Sequence, residues 1–582
     1  MPNLSQRKRK RMLALLDKIK EEHKNDDEIL IALGEIENEL NAKKYGLVWE
    51  EHEEKVDVQI QTQIPVFTEA KEREISAAPE QRYNFLLEGD NLHSLYLLEK
   101  THRGKIDVIY IDPPYNTGNE DFIYDDALID TVDGFRHSKW LSFMGERLQI
   151  AERLLSSQGC IFISIDDNEQ APLKLLCDDI FGAEKFVAQL VWEKKKKGSF
   201  LSNQITNIKE YIIVYCKDKD KFNGLIGEIN SATETYPCIN ATNKRSVCKI
   251  SKGIPSNYKE KNIVIPAGTV ISDSTMNIKY ISDLVIKDGI VAEDFEVEGN
   301  WRYSGEAMFA YSLNRELYVT NALYLRRIVS EPRAKTLKDL LPRVGEDEKV
   351  AYNDSIEENH LFKSGWGSNE DADREIIELF GKQKIFTYPK PVRLIKKLLC
   401  SVRLKNALVL DFFAGSGTTG QAVLELNKQD GGNRKFILCT NNENGICDNV
   451  TYPRIKTVIT GKRADGSTYS DGIPANFKYY RTDFVARDEE FLSDALLEHI
   501  AEMIQLEHGV KIDGSQYLMV MSDKEADALQ KRFQEYQSVK ALYVSKNVLF
   551  TTEQLKTFEG VEIHVIPDHY FRFECREEGQ AW

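Results

Sequence analysis

Paired cysteines and metal-ligand spacings are missing from this chain. Its nine cysteines are scattered, with no C-x-x-C pair and no histidine nearby at ligand spacing. That argues against a disulfide-stapled fold and against a structural zinc site. It leaves reduced thiols, several of them inside strands (Cys160, Cys216, Cys439), as in a cytoplasmic protein. No apolar run nears the ~20 residues of a membrane span, so no membrane partner is expected. Residues Met1 to Lys10 are polar and basic without an apolar centre, and read as no secretory signal. There is no internal repeat and no low-complexity tract. An excess of positive charge is also lacking: the formal net charge is −16, which argues against nonspecific coating of nucleic acid.

What is present is a large folded protein. At 582 residues, 42% hydrophobic and 10% aromatic, the chain is expected to form about two to four domains. Basic residues are concentrated locally. Lys194 to Lys197 is an unbroken run, and Lys244, Arg245, Lys249, Lys252, Lys259 and Lys261 are opposed only by Glu260, with Tyr258 interleaved. Such stretches suit phosphate contact, and equally a solvated face. The same holds for Arg7 to Arg11, within residues 4–45, whose apolar spacing predicts one or two helices.

The stretch that organises the rest is Asp112-Pro113-Pro114-Tyr115. It follows an apolar β-branched run over 107–111, which reads as a buried parallel strand. Two prolines fix φ and remove two N–H donors, so the strand cannot continue and no helix can start there. The result is a rigid turn at the carboxyl end of a strand, where open α/β sheets place ligands. It carries a carboxylate, the Pro113 carbonyl and an aromatic ring. Two acceptors and a stacking surface suit an exocyclic amine on a planar base. Downstream, 138–156 is an amphipathic helix containing Trp140, read as core, with Gly159 as its terminating glycine. Residues 160–165 form the next strand, and 186–192 with 211–216 a hairpin-like pair at the sheet edge. Asp166-Asp167 would suggest a metal, but no further ligand stands at suitable spacing, so none is expected.

A second α/β stretch begins near Lys390-Pro391. Strand 407–410 runs into Asp411-Phe412-Phe413-Ala414-Gly415-Ser416-Gly417-Thr418-Thr419-Gly420 and a helix. Its G-x-G-x-x-G pattern fits a dinucleotide fold or a methyl-donor loop. Glu443 follows the next strand, where an acid would meet ribose hydroxyls. The Asp411 and Phe-Phe-Ala lead-in, and a D-P-P-Y for which a dehydrogenase has no use, favour the methyl donor.

Together the two motifs resemble the amino-methylating DNA methyltransferases, whose signatures are D-P-P-Y and F-x-G-x-G. Their order, with a non-rhythmic insert between them, looks like the circularly permuted β group. Tyr115-Asn116-Thr117-Gly118-Asn119, Asp121-Phe122-Ile123-Tyr124, Arg136 to Leu141, Ile161 to Glu169 and Thr440 to Gly445 look like the modification (Mod) subunit of type III restriction–modification systems. The resemblance implies a Rossmann-like α/β sheet that binds S-adenosylmethionine, and transfer to the N6 amine of a flipped adenine in double-stranded DNA. Cytosine N4, and a noncatalytic recognition subunit, are the alternatives. It assigns Asp112, Pro113, Pro114 and Tyr115 to catalysis. Asp411, Phe413, Gly415, Gly417, Glu443, Asp90 and Lys390 go to the cofactor, although Asp90 reads as well as a plain helix cap. It also implies a Mod homodimer and a Res helicase–nuclease partner. The expected division is a helical segment over 1–50, a linker over 51–82, and a methyltransferase domain over 83–224 and 381–485. A target-recognition insert would cover 225–380. A small α/β tail over 486–582 would serve a partner or dimerisation.

Overall fold

The computed structural model describes residues 4–24, 27–41, 49–50, 52, 54–118, 123–124, 127–128, 135–195, 205–230, 233–272, 277–331, 333–344, 364–381, 385–536, 538–567 and 570–577. Lys196 and Lys197 of the basic run, and Asn119, Asp121 and Phe122 of the motif after Tyr115, lie outside the described residues. Residues 4–45 contribute two helices, Leu4–Glu22 and Asp27–Asn41.

One large sheet carries the fold. Its strands are β1 (Gln63–Glu69), β2 (Tyr83–Glu88), β3 (Ile106–Ile111), β4 (Leu155–Ile165), β5 (Phe186–Glu193), β6 (Lys209–Cys216), β7 (Leu340–Leu341), β8 (Leu408–Asp411), β9 (Lys435–Thr440) and β10 (Asn476–Ala486). They lie in the order β1-β10-β2-β9-β8-β3-β4-β6-β5-β7, with the short strand Ile75–Ser76 added to β10. From β10 to β4 all neighbours are parallel. β6 and β5 then add antiparallel, the hairpin-like pair expected. The central strands are apolar on both faces because both faces are covered. The Asn91–His102 and Arg136–Leu154 helices share one core with Ile109, Ile111 and Ile161. The Val392–Ser401, Thr418–Asp430 and Tyr452–Thr460 helices share the other with Val108, Val409 and Phe436.

This arrangement creates a switch point. β3 and β8 are adjacent and parallel, Val409 pairing with Val108 and Leu410 with Ile109. From β3 the chain crosses through Arg136–Leu154 to β4, and from β8 it crosses through Thr418–Asp430 to β9 on the other side. The two connections diverge, so a crevice opens beyond the carboxyl ends of β3 and β8, the general ligand position in such sheets.

Four expectations differ from what the structure holds. Residues 51–82, expected as a linker, contain the Lys55–Thr62 helix and β1, which pairs with β10 from Gln63 to Glu69. Pro65 is compatible because β1 is an edge strand, and Ile64, Val66 and Phe67 are buried. Gly159 does not end a helix: the helix stops at Leu154, and Gly159 lies inside β4. Its need for glycine is close approach, since a Cβ there would stand 2.8 Å from the Ile106 carbonyl oxygen. Gly159→Ala should therefore force β3 and β4 apart and destabilise the protein by about 1–3 kcal/mol. A thermal unfolding comparison with wild type checks this.

The expected insert over 225–380 closes earlier, because 226–336 alone forms a compact unit. It is built from small antiparallel sheets around Cys238, Ile250, Tyr280, Phe295, Val297 and Trp301. Two of its expected phosphate-facing cations have acidic partners inside the unit: Arg245 meets Glu298 and Lys249 meets Asp294, each at 3.2 Å. The Asn369–Phe380 helix belongs instead to the large unit, where Leu379 joins the core beneath the Val392–Ser401 helix. The tail likewise begins inside the large unit. β10 runs on to Ala486, and Leu492, Leu496, Ile500 and Met503 share the core of β2. Three short parallel strands, Tyr517–Val520, Ala541–Val544 and Glu562–Val565, complete it. Among the described residues no helix is long and apolar enough to cross a membrane.

Candidate active site

The turn after β3 is held from several directions. The Trp140 indole N–H donates to the Pro114 carbonyl at 2.8 Å, so this buried residue anchors the turn as well as filling the core. Asn116 takes a left-handed backbone, φ +56°. Its side-chain amide donates to Glu169 at 2.5 Å and to the Arg136 carbonyl at 3.2 Å. His137 Nδ1 lies 2.6 Å from the same Glu169 oxygen. These contacts tie the turn to the start of the following helix.

Asp112 sits in a web of charge. The Tyr115 hydroxyl donates to its Oδ1 at 2.8 Å, and the Lys390 ammonium lies 2.7 Å from both carboxylate oxygens. Burial pulls the Lys390 pKa down, but Asp112 and Glu210 outweigh it and the net shift is upward, so Lys390 stays charged. Burial likewise pushes Glu210 up, and Lys390 and Lys194 bring it below its ordinary value. Lys390 was expected beside the cofactor; its ammonium is placed on the D-P-P-Y carboxylate.

The turn after β8 uses its glycines as backbone devices. Gly415 and Gly417 have φ of +48° and +78°, where a side chain is disfavoured. A Cβ on Gly417 would also press to 3.2 Å from Thr451 Cγ2. Thr451 in turn donates to the Gly415 carbonyl at 2.6 Å. Beneath the loop, the buried Arg454 guanidinium holds the Ser416 and Thr418 hydroxyls at 3.0 and 2.8 Å. Asp411 accepts from Phe413 N at 3.0 Å and from the Thr419 hydroxyl at 2.5 Å, so its carboxylate braces the turn. Burial raises its pKa to about 7, against those two hydrogen bonds.

A raised folded pKa gives Asp411 a defined pH signature. The folded state retains a proton that the unfolded chain releases above its pKa of about 3.9. The stabilisation is complete below the unfolded value and is lost as pH rises through about 7. Asp411→Asn should flatten that part of the pH–stability curve, as thermal midpoints of the two proteins from pH 4 to 8 would record.

Both turns face one cleft of about 1640 Å³. Asp112 and Pro114 line it beside Phe412, Phe413 and Gly415, with Glu443, Asn441 and Asp90 also in the wall. Pro113, Tyr115, Lys390, Asp411 and Gly417 are not among the lining residues, although each of the first four neighbours one or is bonded to one. Asp90 does cap the Asn91–His102 helix, accepting from Leu92 N at 2.8 Å, so the plain reading of this residue holds while it also borders the cleft. Glu443 is exposed just beyond β9, with Asn441 at 3.5 Å. Asp167 pairs with Lys209 at 2.6 Å, and the described residues contain no cluster of metal-ligating groups.

Several residues of this site went unread in the sequence. Glu54, from the supposed linker, grips buried Arg147 at 2.6 Å, and Arg147 also holds Asn91 and approaches Asp90 at 3.4 Å. Glu210 and Arg454 were likewise unnoticed. The one available signal was an acid heading the otherwise apolar run of β6.

The family model described as DNA methylase matches residues 106–451. The chain is 33% identical over 452 residues to the type III restriction-modification enzyme StyLTI Mod subunit of Salmonella typhimurium, covering 71% of this chain and 62% of that one. It is 32% identical over 403 residues to the type II methyltransferase M.KpnI of Klebsiella pneumoniae, covering 68% and 90%. It is 33% identical over 390 residues to the EcoPI Mod subunit of Escherichia phage P1, covering 62% and 58%. The chain thus spans about three fifths of the length of the two Mod subunits. With both signature turns at one cleft and the matched region enclosing both, the chain belongs to the DNA methylase family of N6 and N4 amino-methyltransferases.

Proposed function

We propose that this protein transfers a methyl group from S-adenosylmethionine to the N6 amine of adenine in double-stranded DNA, as a Mod-type subunit acting in the cytoplasm. The observation that carries this reading is the adjacency of β3 and β8, which sets the D-P-P-Y and glycine-loop turns on one cleft. The lining fits the cofactor. Glu443 offers an exposed carboxylate for vicinal ribose hydroxyls, Phe412 and Phe413 supply apolar wall, and Gly415 leaves backbone uncovered for the amino-acid end. When bound, this cofactor supplies an electrophilic methyl group on a sulfonium.

The protein's own part is positioning. A target amine paired inside a duplex has to be turned out of the stack before it reaches the cleft. Asp112 and the Pro113 carbonyl accept its two hydrogens and orient the nitrogen lone pair. Tyr115 stacks on the base, with its hydroxyl tied to Asp112. Asp112 serves as an oriented acceptor of hydrogen bonds, held in place by the neighbouring ammonium. The unit over 226–336 reads base edges, and a second copy and a helicase–nuclease subunit are the partners.

Incubating the full chain with methyl-labelled cofactor and DNA, followed by nucleoside analysis, tests the assignment. N6-methyladenine as the sole product is expected. N4-methylcytosine would overturn the choice of base, and cofactor binding without transfer to any DNA would favour a noncatalytic recognition subunit.

A further inference from the structure

Lys390 poses a geometric problem for this chemistry. Its ammonium spans both oxygens of Asp112 at 2.7 Å, and the Tyr115 hydroxyl occupies a further lone pair on Oδ1 at 2.8 Å. Three of the about four lone pairs of Asp112 are thus engaged, and a target amine arriving at the last one, on Oδ2, competes with Lys390 for that oxygen. Drawing a buried ammonium off its carboxylate is strongly unfavourable when nothing replaces that partner.

A replacement is built in. Glu210, in β6, is 6% exposed and is not among the residues that line the cleft. Its Oε2 lies 3.5 Å from the Lys390 ammonium and 3.1 Å from the Tyr115 hydroxyl, whose single proton it shares with Asp112. Its other oxygen, Oε1, is fixed by Lys194 at 2.8 Å. One carboxylate from a distant strand therefore presents a single oxygen to two groups of the D-P-P-Y corner. A simple structural ion pair would not require the second carboxylate, nor the split between its two oxygens.

We propose that Glu210 is a positioning residue for methyl transfer, receiving the Lys390 ammonium from Asp112 as the target amine arrives and steadying the Tyr115 hydroxyl meanwhile. No covalent bond changes in this step: one ammonium moves by a fraction of its side-chain reach between two carboxylates. Lys194 holds Glu210 in place before and after the exchange. The inference rests on the methyltransferase reading.

The test is single-turnover methyl transfer by the full chain, with cofactor affinity measured in parallel. Glu210→Gln should slow transfer by about 100-fold, the scale of a misplaced reacting group, and leave cofactor affinity unchanged. Glu210→Asp should recover part of the rate. In a Lys390→Met background the same Glu210→Gln change should cost less than about threefold, because no ammonium is left to receive. Equal losses in both backgrounds, a wild-type rate for Glu210→Gln, or a loss that tracks cofactor affinity and thermal midpoint would overturn the inference. Should Glu210→Gln fail to fold, Glu210→Asp carries the same cycle. A wild type that methylates no DNA sinks the functional reading and this inference with it; an active wild type matched by Glu210→Gln sinks the inference alone.

Discussion

Asp112→Ala is expected to slow methyl transfer by about 10³-fold while cofactor binding persists. The magnitude is that of deleting one preorganised hydrogen-bonding group at a reacting centre, about 4 kcal/mol in activation free energy. Asp112 is the only carboxylate of the D-P-P-Y turn, and its side chain lines the cleft. Without it the target amine keeps a single acceptor, the Pro113 carbonyl. The glycine loop and Glu443 are untouched, so the cofactor site survives. Lys390 retains Glu210 at 3.5 Å, so the corner should still fold. Asp112→Asn is a sharper probe. It keeps one acceptor oxygen but turns an NH2 toward Lys390, donor against donor. It should resemble the alanine variant more than wild type. Rates within tenfold of wild type for both would remove Asp112 from the chemistry.

Arg147→Met should destabilise the protein by about 3–5 kcal/mol, the cost of leaving the buried Glu54 carboxylate without its cation. The Arg147 side chain is fully buried. Its guanidinium reaches Glu54 at 2.6 and 3.1 Å, Asn91 at 2.6 Å and the Phe143 carbonyl at 2.7 Å, and it lies over the Phe143 ring. Methionine restores volume and none of these bonds. A pH dependence follows. Burial already raises the Glu54 pKa while Arg147 opposes it, so losing Arg147 raises it further. A carboxyl with a raised folded pKa is stabilising when protonated and loses that contribution as pH rises. The defect should therefore be larger at pH 8 than at pH 5. Because Glu54 and Asp90 line the cleft, cofactor affinity should fall too. A variant with wild-type thermal midpoints at both pH values would contradict this.

Both turns were readable in the sequence because proline and glycine act on the backbone locally. Asp112-Pro113-Pro114-Tyr115 must end a strand, and the glycine spacing at 415–420 marked a turn, in which Gly415 and Gly417 adopt the left-handed conformation. The central strands were readable for a similar reason, since a strand buried on both faces is a continuous apolar run. What escaped notice depends on partners remote in sequence. Glu210 is 95 residues from Tyr115, and Glu54 is 93 from Arg147. Only the folded chain makes those carboxylates part of the site. β1 was hidden because Pro65 and its charged surroundings look like linker, and edge strands tolerate both. Gly159 was misread because its reason is the Ile106 carbonyl on the next strand, not its own φ. The end of the insert was misplaced because the Asn369–Phe380 helix follows sequence without a βα rhythm yet packs in the large unit's core.

The central claim is that the carboxylate at the end of β3 directs methylation of adenine in DNA. The most direct measurement is a genome-wide map of modified bases in cells expressing either wild type or Asp112→Ala. N6-methyladenine is expected at one short asymmetric motif, on one strand, with wild type and not with the variant. Identical maps from the two strains, with both proteins folded and binding S-adenosylmethionine, would contradict it.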